Sequence, residues 1–433
     1  MKIYHEVIVI GGGWSGVSAA LAANKAGADT ALCERTDMLL GAGLVGGIMR
    51  NNGRFVATEE CIAMGCGELF ELTDSISRHR NIEFPGHRHA SLYDVHLAEP
   101  AVRRLLLERG ITLYMQARIT RAKHHEGKLI QVESDQGQVF LADAFVDATG
   151  SSGPQGLCQR LGNGCAACIQ RCPAFGPRVS TARLMGLPEY MTSRRRDIPG
   201  GAMSGSCKIY KETLSQSLRE KLDAEGVAII PVPKDMVNHS KLDSKVCQQY
   251  ALPEYAESLV LLDTGHAKLM TSYFPLEHLR QIPGLENARY ADPLAGGRGN
   301  SMRLTATVAR DNSMLAAGTQ NLFVAGEKAG ICVGHTEAIV TGALAGRNAA
   351  LLAKGKPLMV IPDTLATGDF ISFSAIDTEG NPAVPGGYGL SASHTFAGSV
   401  YFKRMKALGL YTTDKQAIRK RVRQAGMEGV FST

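Results

Sequence analysis

The 433-residue sequence has no run of 18 or more apolar residues, which excludes a membrane-spanning helix. It shows no leader segment either. The chain enters an apolar strand within its first ten residues, so a cytoplasmic location is expected. Charge of neither sign dominates, and the formal net charge of +6 is mild. What excess there is gathers at Arg194–Arg196 and in Lys403, Arg404, Lys406, Lys415, Arg419, Lys420, Arg421 and Arg423. The run 415–423 carries no interleaved aromatic residue, which favours a solvated helix surface over an RNA contact. Ten cysteines in a chain expected to be cytosolic argue against a disulfide scaffold and for metal or redox use.

What is present is concentrated at the start. Residues 6–35, EVIVIGGGWSGVSAALAANKAGADTALCER, read as strand, glycine turn, helix and second strand. Gly11, Gly13 and Gly16 fall on the GxGxxG spacing: one for the tight turn, one for close approach to a pyrophosphate, one for helix–strand packing. Ser15 opens the helix, whose N-terminal amides would face the phosphates. Glu34, followed by Arg35, ends the second strand 18 residues after Gly16, where a carboxylate accepts from an adenosine ribose. No second GxGxxG unit follows, so a separate nicotinamide domain is not expected.

Two further blocks fit the same unit. Residues 111–150 read as three or four short strands with turns at Glu126-Gly127 and Gln136-Gly137, ending in a buried strand and Thr149-Gly150. Residues 319–357 read as a buried strand ending at Gly326-Glu327, then a small-residue helix whose start lies near His335, Thr336 and Glu337. Between the first two blocks, Gly41, Gly43, Gly46 and Gly47 make a loop able to lie against a cofactor. The fold class expected is α/β: a Rossmann-like FAD-binding domain of parallel sheet plus antiparallel meander, with an inserted α+β substrate domain. The division is 1–150 and 291–360 for the two parts of the FAD domain, 151–290 for the insert, and 361–433 for a small basic appendage. His87, Arg88 and His89 read as a solvated loop, and residues 57–79 as helical.

The insert holds Cys158, Cys165, Cys168 and Cys172-Pro173. The CxxCxxxCP end matches a bacterial ferredoxin run, so a [4Fe–4S] cluster is expected, with Cys158 as fourth ligand and Cys207 or Cys247 as substitutes. A four-cysteine zinc site usually shows two CxxC pairs, and only one is present; free thiols are the remaining alternative.

The GGGWSG turn, the meander with DATG, and FVAGEKAG together resemble FAD-dependent oxidoreductases of the glutathione-reductase-like fold. PGLENARYADPLAGGRGN (283–300), AGEKAG-x3-GHTEAIVTGALAGRNAA and IPDTLATGDFI (361–371) resemble the tRNA-modifying flavoproteins, which alter uridines with folate and FAD. The resemblance implies FAD contacts at Gly11, Gly13, Gly16, Glu34, Thr149, Gly150, Gly326 and Glu327. It implies no catalytic residue, since residues 40–70 lack that family's cysteine segments. The expected function is an FAD-dependent oxidoreductase passing electrons between the cluster and FAD and acting on a small-molecule substrate. Such a relay would use an electron-transfer protein as partner. His335 is the candidate acid/base and Arg298, in GGRGN, the candidate anchor for a substrate carboxylate. The alternatives are a folate- and FAD-dependent RNA uridine-modifying enzyme, with RNA as partner, or the FAD subunit of an electron-transfer complex.

Overall fold

The computed structural model describes residues 2–150, 171–191, 202–203, 207–244, 248–270, 274–291, 302–303, 306–385 and 394–432. At its centre is a sheet begun by β1 (Lys2–Ile10), whose residues Val7 to Ile10 are buried on both faces, as a parallel strand covered by helices requires. The helix α1 (Trp14–Lys25) crosses over to β2 (Thr30–Cys33), which pairs in parallel with β1, and Thr112–Tyr114 extends that edge. On the other side lies Val139–Asp147, in register with β1 from Lys2↔Val139 to Ile10↔Asp147.

This last strand is forked. Its first residues, Val139 to Leu141, pair antiparallel with Lys128–Ser134 of the meander, while Phe145 to Asp147 pair parallel with Leu322–Val324. The meander and the third sequence block thus meet on one strand. The turn Glu126-Gly127 has φ of 47° and 77°, the mirror-image geometry that two-residue hairpins favour. The helix His335–Ala353 lies across α1 at backbone distance. A Cβ on Gly342 would fall 2.2 Å from Ser15 O and one on Gly346 2.0 Å from Ala19 O, so these glycines set the crossing.

The insert forms its own four-stranded antiparallel sheet, ordered Cys207–Ile209, Ala267–Leu269, Ser258–Asp263, Val227–Pro231, packed with helix Gln216–Glu225 around a separate apolar cluster. It is seated on the main domain by Lys208, whose Nζ donates to Leu44 O (3.0 Å), and by Lys268, which donates to Val45 O.

Three local expectations are corrected. The helix over 57–79 is two helices, α2 (Gly53–Met64) and Glu68–Ser75, parted at Gly65 with φ 89°. His87 is buried rather than solvated: it accepts from Asn51 Nδ2 (2.9 Å) and donates from Nε2 to Gln249 O (2.9 Å), and burial lowers its pKa to about 3. Residues 361–432 are no appendage, because Phe370, Phe396, Tyr401, Met405, Ile418 and Phe431 belong to the same apolar core as β1. Their glycine- and serine-rich surroundings mask aromatic anchors that carry no helical or strand period.

Candidate functional site

One cleft, enclosing about 1250 Å³ of open space, runs along the carboxyl ends of the parallel strands and joins all three sequence blocks. At one end lies the glycine turn. Gly11 has φ +102°, and a Cβ there would be 2.5 Å from Ala148 O. Gly16 sits beneath the turn, where a Cβ would fall 1.7 Å from Gly11 O. Gly13 differs, because a Cβ there would meet nothing within 4 Å. Its outer face is open to the cleft, at the uncapped start of α1. Glu34 fixes this turn: its Oε2 accepts from Gly12 N and its Oε1 from Thr36 N, both at 2.7 Å.

Arginines cluster at the same end. Arg35 donates to Gly176 O, Arg118 Nε donates to Pro177 O (2.8 Å), and Arg171 Nη1 meets Asp37 Oδ1 at 2.6 Å. Arg171 holds the Asp37 carboxyl below the usual carboxylate range. With Arg178 these side chains line the cleft and give it positive potential suited to phosphate. Sequence reasoning missed Arg118, Arg171 and Arg178, together with Asp147. That acid is fully buried; its Oδ1 accepts from Thr149 N and Oγ1, and its Oδ2 accepts from Ala182 N (2.8 Å). It therefore sets the Thr149-Gly150 turn and pins the start of the short helix Thr181–Leu184. An acid two residues before a threonine is an Asx-turn signal that was there to be read.

The other end is built by Gly43, Gly326, Glu327, Gly334 and His335. Ser15 links the two ends, since its Oγ would lie 2.7 Å from a Cβ on Gly326. The 19-residue helix beginning at His335 has no side-chain cap, so its first-turn amides and positive dipole end open on the cleft. Glu337 in that first turn is turned inward: it is fully buried, accepts from Arg54 Nε (3.0 Å) and from Phe396 N (2.8 Å). The His335 Nδ1 is 3.4 Å from Tyr93 Oη, which donates to Gly43 O (3.2 Å), and burial raises the Tyr93 pKa well above that of a free phenol. Tyr93 therefore stays a neutral donor that orients the loop and the imidazole.

The expected contact residues Gly11, Gly13, Ser15, Glu34, Arg35 and Gly43 thus lie on the cleft wall, as do Thr149, Gly150, Gly326, Glu327 and His335. Thr336 does not: its hydroxyl is buried against Met49 Sδ at 3.8 Å. Arg298, Cys158, Cys165, Cys168 and Cys247 lie outside the described residues. Cys172 opens the short helix Cys172–Phe175 as a free thiol, and Cys207 is buried in the insert's sheet. Among the described residues no group of three or more His, Cys, Asp or Glu side chains is placed to hold a metal ion, and no helix is long and apolar enough to cross a membrane.

The cleft fits FAD. Gly13 leaves room for a pyrophosphate, Glu34 and the arginines stand at the adenosine end, and the open helix start stands at the flavin end. The buried indole Nε1 of Trp14, on the cleft wall between them, lacks a hydrogen-bond partner among the described residues. Residues 6–153 match the family model described as FAD dependent oxidoreductase, so fold, site and match define the class: an enzyme of the FAD-dependent oxidoreductase type. Residues 260–357 match the model for Glucose inhibited division protein A.

The chain is 36% identical over 94 residues to the methylenetetrahydrofolate–tRNA-(uracil-5-)-methyltransferase TrmFO of Dictyoglomus thermophilum, over 22% of this chain and 21% of that protein. It is 39% identical over 95 residues to that of Dinoroseobacter shibae, over 22% and 20%. The aligned stretch is therefore about a fifth of those relatives' length. Among solved structures, Aquifex aeolicus GidA in its form II crystal has a TM-score of 0.63 at 19% identity, covering 97% of this chain and 76% of that one, which speaks for the fold. Homology to the GidA and TrmFO flavoproteins is what these findings establish.

Proposed function

We propose that this protein is an FAD-dependent enzyme that modifies a uridine in RNA with a one-carbon unit from a folate. The observation that supports it most is the flavin end of the cleft. It is walled by Gly326, Glu327 and His335, which belong to the stretch 260–357 that matches the Glucose inhibited division protein A model. The curated relatives are named for methyl transfer to uracil in tRNA, with methylenetetrahydrofolate as donor. When bound, FAD supplies reversible two-electron reduction, and the chain supplies its seat. The glycine turn and the arginines hold the dinucleotide end. The first turn of His335–Ala353 would favour negative charge at the flavin end, and His335 would hold or deliver a proton there.

The test is transfer of label from methylenetetrahydrofolate to tRNA transcripts by the flavin-loaded protein with a reductant supplied. Incorporation into uridine is the expected result, and reductive turnover of small molecules with none of it overturns the reading. A second reading keeps the iron–sulfur relay to a small-molecule substrate or protein partner. It rests on the spacing Cys165-x2-Cys168-x3-Cys172, which neither family match spans, and on Arg171 placing Cys172 next to a cleft-lining residue. Anaerobic purification with metal analysis decides it: about four irons per chain supports the relay and an iron-free protein removes it.

A further inference from the structure

In sequence the run 415–423 has no aromatic neighbour, but the fold brings rings to it. The Phe55 ring, in the first turn of α2, lies 5.7 Å from the His89 ring near the tip of the hairpin Ser77–Tyr93, and the Lys415 ammonium stands 5.8 Å from Phe55. Beside them Lys406 stands 4.2 Å over Phe402 and 5.6 Å from Tyr411, whose rings meet edge to face at 4.8 Å. Arg88, next to His89, lies within electrostatic reach of the Tyr411 hydroxyl. The four rings are partly exposed, and Arg88, Lys406 and Lys415 are exposed. Acids are sparse: Lys415 meets Glu59 at 3.0 Å and Arg88 meets Glu83 at 3.8 Å, while Lys406 has no carboxylate in salt-bridge reach among the described residues.

Lysines over half-open rings also occur where a helix is simply packed, with the stems covering apolar surface. Here three separate chain segments converge: the α2 start, the hairpin tip and the C-terminal helices. Together they set several partly exposed rings and several exposed cations side by side. That combination suits a strand whose bases are unstacked, because bases lie on rings while phosphates reach the cations. A duplex offers no free base faces, and an acidic peptide has no use for the rings. The surface is tied to the flavin end through Arg54, the residue before Phe55, which pairs with Glu337 in the first turn of the helix that opens there.

We infer that Phe55, Phe402 and Tyr411 with Arg88, Lys406 and Lys415 form a docking surface for a single-stranded nucleic-acid segment. Bases stack on the rings and the phosphates meet the cations. The inference rests on the reading of RNA as substrate and names where the strand is held.

The experiment is fluorescence anisotropy of the full, FAD-loaded chain with labelled oligouridine of about a dozen nucleotides, titrated over a range of salt. Phe402→Ala and Tyr411→Ala should each weaken binding about tenfold. The double variant K406Q/K415Q should flatten the dependence of log K on log salt by about 1.4, two phosphates at roughly 0.7 each. These two lysines are exposed, so unchanged flavin absorbance and melting temperature show that this arm reads contact and not folding. Salt dependence equal to wild type in K406Q/K415Q, or equal binding of a same-length duplex or polyglutamate, overturns the surface. Binding lost in the variants with no label transfer by any form of the protein upholds the surface and overturns uridine modification. Label transfer with binding unchanged in every variant overturns the surface alone.

Discussion

The two ends of the cleft are built in opposite ways. The dinucleotide end is largely local: Gly11, Gly13, Gly16 and Glu34 lie within 24 consecutive residues, Gly16 lies against Gly11 and Glu34 bonds Gly12, while Ala148 and Thr149 close on Gly11 from the end of the forked strand. The flavin end is assembled from afar, with Gly43, Gly326 and His335 on its wall and Arg54, Glu337 and Phe396 bonded behind it. A site made of neighbours is hard to misassemble. A site made of distant parts depends on a few buried bonds, here the Arg54–Glu337 ion pair and the Phe396 N–Glu337 hydrogen bond, and on the close helix crossing at Gly342 and Gly346.

The largest expected effect attacks the local end. Gly16→Val would drive a side chain into Gly11 O, which no side-chain rotation relieves, so the purified protein should lose its flavin absorbance or fail to fold. Retention of stoichiometric FAD would break the comparison at its first term. At the distant end, Arg54→Leu leaves the Glu337 carboxylate buried without its cation. Loss of one partner from a buried pair costs about 3–5 kcal/mol, read as a fall in melting temperature with weakened FAD retention. Gly342→Ala presses a methyl onto Ser15 O and should cost about 1–3 kcal/mol, measured by denaturant midpoint.

Acid gives the mildest test. Burial depresses His87 to about 3, and His266 and His394 to about 4; His96 and Lys208 add to the effect at His266. Each binds a proton more readily when unfolded. Their contribution is therefore complete above the ordinary histidine pKa of about 6.5 and is lost as pH falls from there towards 4. Melting temperature should decline across that window, and His266→Gln should flatten its share of the decline. A profile unchanged by that substitution would show that His266 is not among the groups that make the fold acid-sensitive.

Legibility followed the same divide. The parallel sheet, the hairpin turns at Gly127 and Gly137 and the helix after Gly334 could be read because periodicity and turn chemistry are properties of adjacent residues. Arg118 and Arg171 could not, since each acts on a backbone group or acid supplied by a remote segment. The C-terminal aromatics Phe370, Phe396 and Tyr401 were hidden for the same reason: single anchors without a period leave composition as the only signal, and composition pointed to a surface tail. The two glutamates of α2, Glu59 and Glu60, show the same limit. Glu59 meets Arg50 (2.6 Å), and Glu60 accepts from Ala366 N and Thr367 N (both 2.9 Å), so neither is the exposed helix charge it resembles.

The seating of the insert has a practical consequence for exchange between relatives. Lys208 and Lys268 grip Leu44 and Val45 through main-chain carbonyls, which every residue type provides. The receiving loop is thus free to drift in side chain while the joint stays intact. A foreign insert would carry its own half of that fastening with two ammonium groups at those points, but it would also need an apolar face for Ile48, Phe84, Ala90 and Leu92, where Val227, Tyr255, Val260 and Leu262 now pack, and an acid for Arg78, which here pairs with Asp263.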